Sequence, residues 1–374
     1  MSGSLSHCVL IAAVAVGAMT PGVAREKLVA GPTSAAAPEP GGGPALPKGV
    51  EAAMNTISSG RIRVHLRFLA SDLLEGRGTG ERGAQIAAEY IAAQFQLSAL
   101  WPGGAGNSYK QRVPLVGGET LPETTLSFEG GEGAVGPPLR MLDDYVVWTD
   151  TQQPTVDSTG EMIFVGYGVE APEYGWDDYK GQDVTGKVLV MLVNDPPSAD
   201  PSVFGGKALT YYGRWTYKYE EAARRGAIGA LLIHTDESAG YGWEVVRNSW
   251  SGERSFNELD PKAPMPLQQA GWLTDRTARA LFAAAGQDLD ALRDAAARSD
   301  FVPVPLGLSA KAHIVTALRR FDSSNVIAFV PGKDESLKDE AVILTAHYDH
   351  LGIGTPDESG DGIYNGAYDN ASGV

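Results

Sequence analysis

The chain is almost free of cysteine. Its 374 residues include one, Cys8, which lies in an uncharged amino-terminal segment. If that segment is removed, the mature protein contains no thiol, which excludes disulfide bonds, a cysteine nucleophile and metal binding through thiolate. Any metal site therefore has to be built from histidine and carboxylate side chains.

Positive charge is also scarce. Lysine and arginine number 30 against 46 aspartate and glutamate residues, which gives a formal net charge of −16. Binding to nucleic acid, or to an anionic membrane surface, depends on clustered basic residues. The composition therefore argues against nucleic acid as a partner and favours an acidic globular protein. The length of the chain predicts two domains.

No hydrophobic run is long enough to span a bilayer. The apolar run Cys8 to Met19 has the length of the apolar region of a secretory signal, and Gly22-Val23-Ala24 supplies the small residues of a cleavage site. We expect a signal peptide over residues 1–24, cleavage near Ala24, export to the periplasm or the medium, and no membrane span thereafter. No Lys or Arg precedes the run, and a retained membrane anchor is the alternative.

The remaining chain divides into four segments. Residues 25–49 are rich in Pro, Gly and Ala and predict a disordered linker. Residues 50–140 begin with two predicted helices, and residues 141–300 contain short buried strands within a β-rich unit. Residues 301–374 return to longer strands.

The first helix is predicted to end at Gly76 and Gly78, and its apolar stripe comprises Ile62, Leu66, Leu69 and Leu73. The second stripe comprises Ala84, Ala87, Ala88, Ile91 and Phe95.

Three strands are predicted between residues 311 and 346. The sequences "KAHIVTALRRF", "SNVIAFVPG" and "AVILTA" mark them, and the Pro331-Gly332 pair predicts a hairpin between the second and the third. Because "AVILTA" is apolar at every position but one, we expect it to be a central strand covered on both faces.

Polar side chains follow the third strand at its carboxyl end, where α/β sheets bind ligands. His347 and Asp349 are two residues apart, so an extended chain points both to one side, and the carboxylate can orient the imidazole. Asp369 follows a Gly-rich loop at a predicted helix start, where a carboxylate can bridge two cations. Each piece alone has an ordinary explanation, such as a chance His-x-Asp pair or a helix cap. Their combination is more specific.

The pair "AHYDHLG" and "NGAYDNASGV" resembles the dinuclear zinc aminopeptidase family, whose relatives include aminopeptidases S and Y and the glutamate carboxypeptidases. The stretch "HLRFLASDLLEGRGTGERGAQIAAEYIAAQFQ" resembles the amino-terminal helices of that family. Residues 141–300 resemble the protease-associated domain that some members carry as an insertion. The resemblance implies an α/β fold, in which a zinc-exopeptidase sheet with helices on both faces is interrupted by the β-rich domain.

The resemblance also implies roles for individual residues. His347 would bind one of two Zn²⁺ ions, Asp369 would bridge both, and Asp349 would support His347 from behind. The peptide bond between Asp369 and Asn370 is often cis in the family. A glutamate base and further ligands follow downstream in the family, so we expect this chain to be a fragment that lacks them and is inactive alone.

The implied function is that of an exported zinc-dependent exopeptidase. We first expect an aminopeptidase, which hydrolyses the amino-terminal residues of peptides with a water molecule activated by two zinc ions. A carboxypeptidase-type relative and a non-catalytic binding ectodomain of the same fold are the alternatives. No substrate-binding residue is assigned.

Overall fold

The computed structural model describes residues 8–13, 49–130, 133–136, 138–354, 356 and 359–374. The α-helices are α1 Val50–Met54, α2 Ser59–Leu69, α3 Arg82–Leu97, α4 Trp215–Arg224, α5 Asp236–Ala239, α6 Trp243–Ser249, α7 Asp275–Ala284 and α8 Leu289–Ala296. The strands are β1 Cys8–Ala13, β2 Trp101–Pro102, β3 Lys110–Thr120, β4 Thr125–Gly130, β5 Gly133–Ala134, β6 Tyr145–Trp148, β7 Thr155–Phe164, β8 Glu170–Ala171, β9 Trp176–Asp177, β10 Val188–Leu192, β11 Gly229–His234, β12 Arg254–Asn257, β13 Gln269–Thr274, β14 Val304–Pro331, β15 Ile343–Ala346, β16 Gly352–Ile353 and β17 Ile363–Tyr364.

The described chain forms two compact units. The first contains residues 8–13, 49–115 and 321–374, and the second contains the described part of 116–320. Helices with parallel and antiparallel strand pairs confirm the α/β class. The sequence places the boundaries of the middle unit at 141 and 300. The observed unit is wider because β4 and the first half of β14 pair with each other, and the same half of β14 pairs with β7.

The second unit is built on a buried sheet. Its strands follow the order β14-β7-β10-β11-β13-β6, with β7, β10, β11 and β13 parallel and β6 antiparallel. Every residue of β10 and β11 is buried, as expected for strands covered on both faces. Residues of α7 and α8 pack on one face, and residues of α4 and α6 pack on the other.

The first helix of the first unit is shorter than the sequence predicts. It begins after Ser58, whose hydroxyl caps it, and it ends at Leu69 rather than at Gly76. The chain then forms a short irregular helical turn, Asp72–Arg77, so the apolar positions after Leu69 no longer follow the spacing of α2. Leu73 of the predicted stripe is therefore exposed, and Leu74 is buried instead. The stripe of α3 is confirmed for Ala84, Ala87, Ala88 and Ile91.

The predicted hairpin is wrong. β14 is one continuous strand across two of the predicted strands, and it does not pair with β15 in the described chain. The reason is β1, which lies between them, antiparallel to β14 and parallel to β15. β1 is part of the predicted signal peptide. The predicted cleavage site and nearly all of the predicted linker lie outside the described residues. None of the described helices is long and apolar enough to cross a membrane.

The expectation that β15 is covered on both faces is also wrong for the described residues. Ile343 is 59% exposed and Leu344 is 58% exposed. Among the described strands β15 pairs only with β1, so it lies at the edge of the sheet, where its side chains find few neighbours. Its carboxyl end is nevertheless well packed, because Tyr348 is buried with α2 and α3 residues in the core of the first unit.

Candidate metal centre

His347 and Asp369 face each other at the end of β15. The distance from His347 Nε2 to Asp369 Oδ1 is 3.0 Å. On the other edge of the ring, His347 Nδ1 lies 3.0 Å from the backbone carbonyl oxygen of Asp349. A hydrogen on Nδ1, donated to that carbonyl, leaves the Nε2 lone pair directed at Asp369. This is the tautomer that binds a metal through Nε2.

Asp349 lies behind His347 and is buried. Its Oδ1 is 3.6 Å from His347 Nδ1, and its Oδ2 accepts a hydrogen bond of 2.6 Å from Thr79 Oγ1. Asp349 raises the pKa of His347. The largest contribution is the interaction of its carboxylate with the ring, followed by the hydrogen bond to its backbone carbonyl and the Coulomb attraction of its charge. Asp349 Oδ1 has no hydrogen-bond partner among the described residues. The carboxylate of Asp349 is therefore close enough to His347 for an electrostatic interaction, while the backbone carbonyl oxygen of Asp349, at 3.0 Å from Nδ1, is the closer of the two groups.

Asp369 lies in a single irregular turn, Ala367–Ala371, rather than at the start of a regular helix. Its backbone and that of Asn370 are non-helical, and the peptide bond between them is cis. The Asp369 side chain is 52% exposed. The second oxygen, Oδ2, lies 4.0 Å from His350 Nδ1. Burial lowers the pKa of His350, and the charge of Asp369 opposes that shift.

Arg77 is the residue of this site that the sequence reasoning missed. Its side chain is fully buried, and within the described chain it donates hydrogen bonds only to backbone carbonyls. Nε donates to Tyr348 at 2.7 Å, Nη1 to Asn365 at 2.7 Å and to Leu69, and Nη2 to Gly366 at 2.9 Å. The guanidinium therefore joins the end of β15, the end of α2 and the loop that leads to Asp369.

Glycines allow the Asp72–Arg77 turn to approach that loop. Gly76 has φ +68°, and a Cβ added there would lie 2.7 Å from the carbonyl oxygen of Tyr364. Gly366 has φ +56°, and a Cβ there would meet the ring of His350. Asn365 Nδ2 donates to Asp72 Oδ1 at 2.7 Å across the same interface. The glycine density of "EGRGTG" was the sequence signal for this close contact.

The donor set fits part of a zinc site. Imidazole nitrogen and carboxylate oxygen are ligands that zinc prefers, and His347 and Asp369 present both at one point. A zinc site takes at least three protein ligands. In the part of the chain that the structure describes, no group of three or more His, Cys, Asp or Glu side chains is arranged to hold a metal.

Residues 325–374 match the sequence model of Peptidase family M28. No curated protein matches the chain. Among solved structures, the chain is similar to the aminopeptidase from Aneurinibacillus sp. strain AM-1, with 16% identity, a TM-score of 0.35, and coverage of 84% of this chain and 56% of that chain. It is also similar to BSAP, a zinc aminopeptidase from Bacillus subtilis, with 14% identity, a TM-score of 0.29, and coverage of 84% and 54%. The chain spans little more than half the length of these structures.

Proposed function

We propose that this chain belongs to a zinc-dependent exopeptidase, and specifically to an aminopeptidase that acts on peptides. The match to Peptidase family M28 over residues 325–374 supports the proposal. The observation that carries it is the 3.0 Å approach of His347 Nε2 to Asp369 Oδ1 within that segment. Two side chains of complementary ligand type, brought together from positions on either side of a long loop, supply part of the set of at least three protein ligands that a zinc site takes.

The described residues would have different roles at the proposed metal centre. His347 and Asp369 would hold zinc, and under the two-ion proposal Asp369 would be shared between the ions. Asp349 fixes the ring of His347 from behind through its backbone carbonyl at 3.0 Å. Zinc, when bound, supplies Lewis acidity, which polarises a scissile carbonyl and lowers the pKa of a water molecule. Arg77 holds the backbone on which these side chains are mounted.

Export belongs to the same proposal. The uncharged apolar run before Ala24 supports secretion through a signal peptide. The separate compact unit of residues 116–320 supports the reading of an inserted protease-associated domain, since it interrupts the first unit in sequence. Peptides are the proposed substrates.

Metal binding tests the proposal directly. The gene product that carries this chain is titrated with Co²⁺, which reports a nitrogen and oxygen ligand set through its visible absorption, and Zn²⁺ is added in competition. We expect His347→Ala and Asp369→Asn each to weaken binding by at least roughly tenfold. His313→Ala is the matched control, because His313 is an exposed histidine paired with Asp157 in the second unit. Equal binding by all three variants would contradict the metal centre.

Hydrolysis tests the exopeptidase class in the gene product that carries this chain. Leucine p-nitroanilide, its N-acetylated form and an N-acetylated peptide with a free carboxyl terminus are compared with and without chelator. An aminopeptidase releases nitroaniline only from the free amine and loses activity on metal removal. Cleavage of the N-acetylated peptide alone would favour a carboxypeptidase instead. Metal binding without any hydrolysis would favour the binding ectodomain.

A further inference from the structure

The carboxylate of Asp349 is buried, and only one of its two oxygens has a hydrogen-bond partner within the described chain. The residue is 3% exposed. Its Oδ2 accepts the hydroxyl hydrogen of Thr79 at 2.6 Å, whereas its Oδ1 accepts none. A buried acceptor without a donor is unfavourable, and the unpaired oxygen lies beside a candidate metal ligand.

The unpaired oxygen lies on the Nδ1 side of the His347 ring. Oδ1 is 3.6 Å from His347 Nδ1, which is beyond the range of a good hydrogen bond. The backbone carbonyl oxygen of the same residue, Asp349, is 3.0 Å from Nδ1. Both oxygens favour a hydrogen on Nδ1, and a ring in that form keeps its Nε2 lone pair for a metal.

The hydroxyl of Thr79 sets the orientation of this carboxylate. The terminal torsion of an aspartate side chain is broad, so the plane of the carboxylate turns easily unless a partner holds it. The bond from Thr79 Oγ1 has the length of a charge-assisted hydrogen bond, and it fixes Oδ2. With Oδ2 fixed, Oδ1 stays on the side of His347 Nδ1.

Arg77 does not supply this contact. Its charge acts on Asp349, but its hydrogen bonds in the described chain go to backbone carbonyls, such as that of Tyr348 at 2.7 Å. Among the described residues, Thr79 is therefore the side chain that donates a hydrogen bond to the Asp349 carboxylate.

The loop that carries Thr79 is held in place by its backbone. Gly78 forms a parallel bridge with His350, whose N–H donates to the carbonyl of Arg77 at 2.9 Å. The N–H of Glu81 donates to the carbonyl of Gly78, also at 2.9 Å. These contacts fix the loop against the end of β15 without the hydroxyl of Thr79, so the hydroxyl is not required to hold the loop.

We propose that Thr79 is a positioning residue of the metal centre: its hydroxyl holds the Asp349 carboxylate so that Oδ1 supports the form of His347 that binds metal through Nε2. The inference rests on the proposed function, because it assigns a role within the same centre. Thr79 and Asp349 are 270 residues apart in the sequence. The loop after α2 thus takes part in orienting a ligand at the end of β15.

Cobalt binding is the first test. The gene product that carries this chain is titrated with Co²⁺, and visible absorption gives the affinity. Thr79→Val keeps the shape of the side chain and removes the donor, so we expect the affinity to fall at least roughly tenfold. Thr79→Ser retains the hydroxyl and should recover most of the lost affinity. Thr210→Val is the matched control, because it removes a hydroxyl that donates to Asp195 Oδ1 at 3.0 Å in the second unit. Its affinity for Co²⁺ should equal that of the wild type.

Asp349→Ala shows whether Thr79 acts through Asp349. In that background no carboxylate remains to be held, so Thr79→Val should change the affinity for Co²⁺ by less than about twofold. A loss as large as the one in the wild-type background would contradict the inference, since Thr79 would then act by another route.

Nitrogen NMR of isotopically labelled histidine tests the same contact without metal. In the metal-free protein Asp369 Oδ1, 3.0 Å from His347 Nε2, competes for a hydrogen on Nε2, so Asp369→Ala is used as the background. The spectra are recorded at an alkaline pH, where the ring is neutral, and His347→Ala assigns the signal. We expect the hydrogen on Nδ1 in this background. Thr79→Val should raise the share of rings with the hydrogen on Nε2, and Thr79→Ser should not.

Two results overturn the inference. One is a folded Thr79→Val that binds Co²⁺ as tightly as the wild type, and the other is an unchanged tautomer of His347 in that variant. If Thr79→Val does not fold, the smaller Thr79→Ala takes its place in both measurements. A wild type that binds no Co²⁺ would contradict the proposed function instead, and the tautomer of His347 would still decide the role of Thr79.

Discussion

The buried guanidinium of Arg77 donates its Nε hydrogen to the backbone carbonyl of Tyr348 at 2.7 Å, between His347 and Asp349. The same guanidinium bonds to the carbonyl oxygens of Asn365 and Gly366, just before Asp369. One side chain thus fixes both chain segments that supply the candidate ligands. Burial lowers the pKa of Arg77, and the charges of Asp349 and Asp369 oppose that shift.

Arg77→Lys should destabilise the first unit and weaken its metal site. Lysine carries one ammonium group and cannot reach carbonyls on three segments, so buried acceptors lose their donors. We expect a loss of roughly 3 kcal/mol in the free energy of unfolding and a fall in Co²⁺ affinity of at least about tenfold. Urea titration and Co²⁺ absorption measure the two effects. Arg67→Gln, at an exposed position of α2, should change stability by less than about 0.5 kcal/mol.

Gly76→Ala should be among the costliest small substitutions in the chain. The backbone there has φ +68°, and the new methyl group would press on the carbonyl of Tyr364. Strain and displacement together should cost roughly 2–4 kcal/mol in thermal or urea unfolding. Gly60→Ala is the control, since Gly60 lies in helix α2 and its Cβ would meet only Ser58 Oγ at 3.5 Å. That change should be neutral or stabilising by up to about 1 kcal/mol. A similar loss in both variants would contradict the close contact.

Metal binding should weaken in acid as His347 is protonated. Asp349 raises the pKa of His347 above its ordinary value of 6.5, so protons compete with the metal at a higher pH than at a free histidine. Asp349→Asn should move the midpoint of Co²⁺ loss to lower pH, whereas Asp157→Asn, at an exposed histidine pair, should leave it unchanged. In the metal-free protein the raised pKa stabilises the fold fully below pH 6.5. That contribution is lost as the pH rises through the folded-state pKa.

Lys218 should make the stability of the second unit depend on pH. Its side chain is fully buried in α4, with Nζ 3.0 Å from the carbonyl of Asn194. Burial lowers its pKa from 10.5 to about 7, although Asp178 and Asp195 oppose the shift. The unfolded chain therefore holds more protons between pH 7 and 10.5, so the free energy of unfolding rises with pH in that window.

Lys218→Met should remove this rise, which is measured as the difference between the urea-unfolding free energies of variant and wild type across the window. Lys187→Met is the control for the loss of a lysine in the same unit, since Lys187 reaches solvent and bonds to Glu161 at 2.8 Å. Parallel pH profiles for wild type and Lys218→Met would show that the buried ammonium does not titrate in this window.

The grouping of the proposed ligands at the end of β15 was predictable, because the residues lie close in sequence or in a recognisable loop. His347 and Asp349 are alternate residues at a strand end, and Asp369 follows a Gly-rich loop. The structure brings these side chains together. Arg77 was not predictable, since its partner Tyr348 is 271 residues away in the sequence. Thr79, which bonds to Asp349, was missed for the same reason.

Strand pairing was harder to predict than strand existence. The apolar runs of β10, β11 and β15 all predicted strands, and all are strands. The burial of β15 was not as predicted. An apolar run indicates that a strand can be buried, but it does not show which neighbouring elements cover the strand. The break expected between two strands at Phe321 to Ser324 is absent for a related reason. The polar side chains of Asp322 and Ser323 do not interrupt β14, which continues through them as one strand.

The position of β1 has a consequence for maturation. Residues 8–13 separate β14 from β15, and cleavage after Ala24, as proposed, would remove them. The gap left behind is one strand wide, and it is bordered by two unpaired edges that run antiparallel to each other. Antiparallel edges can pair with each other, and residues 332–342 connect β14 to β15. The precursor and the processed protein would then have different strand neighbours at this edge of the sheet.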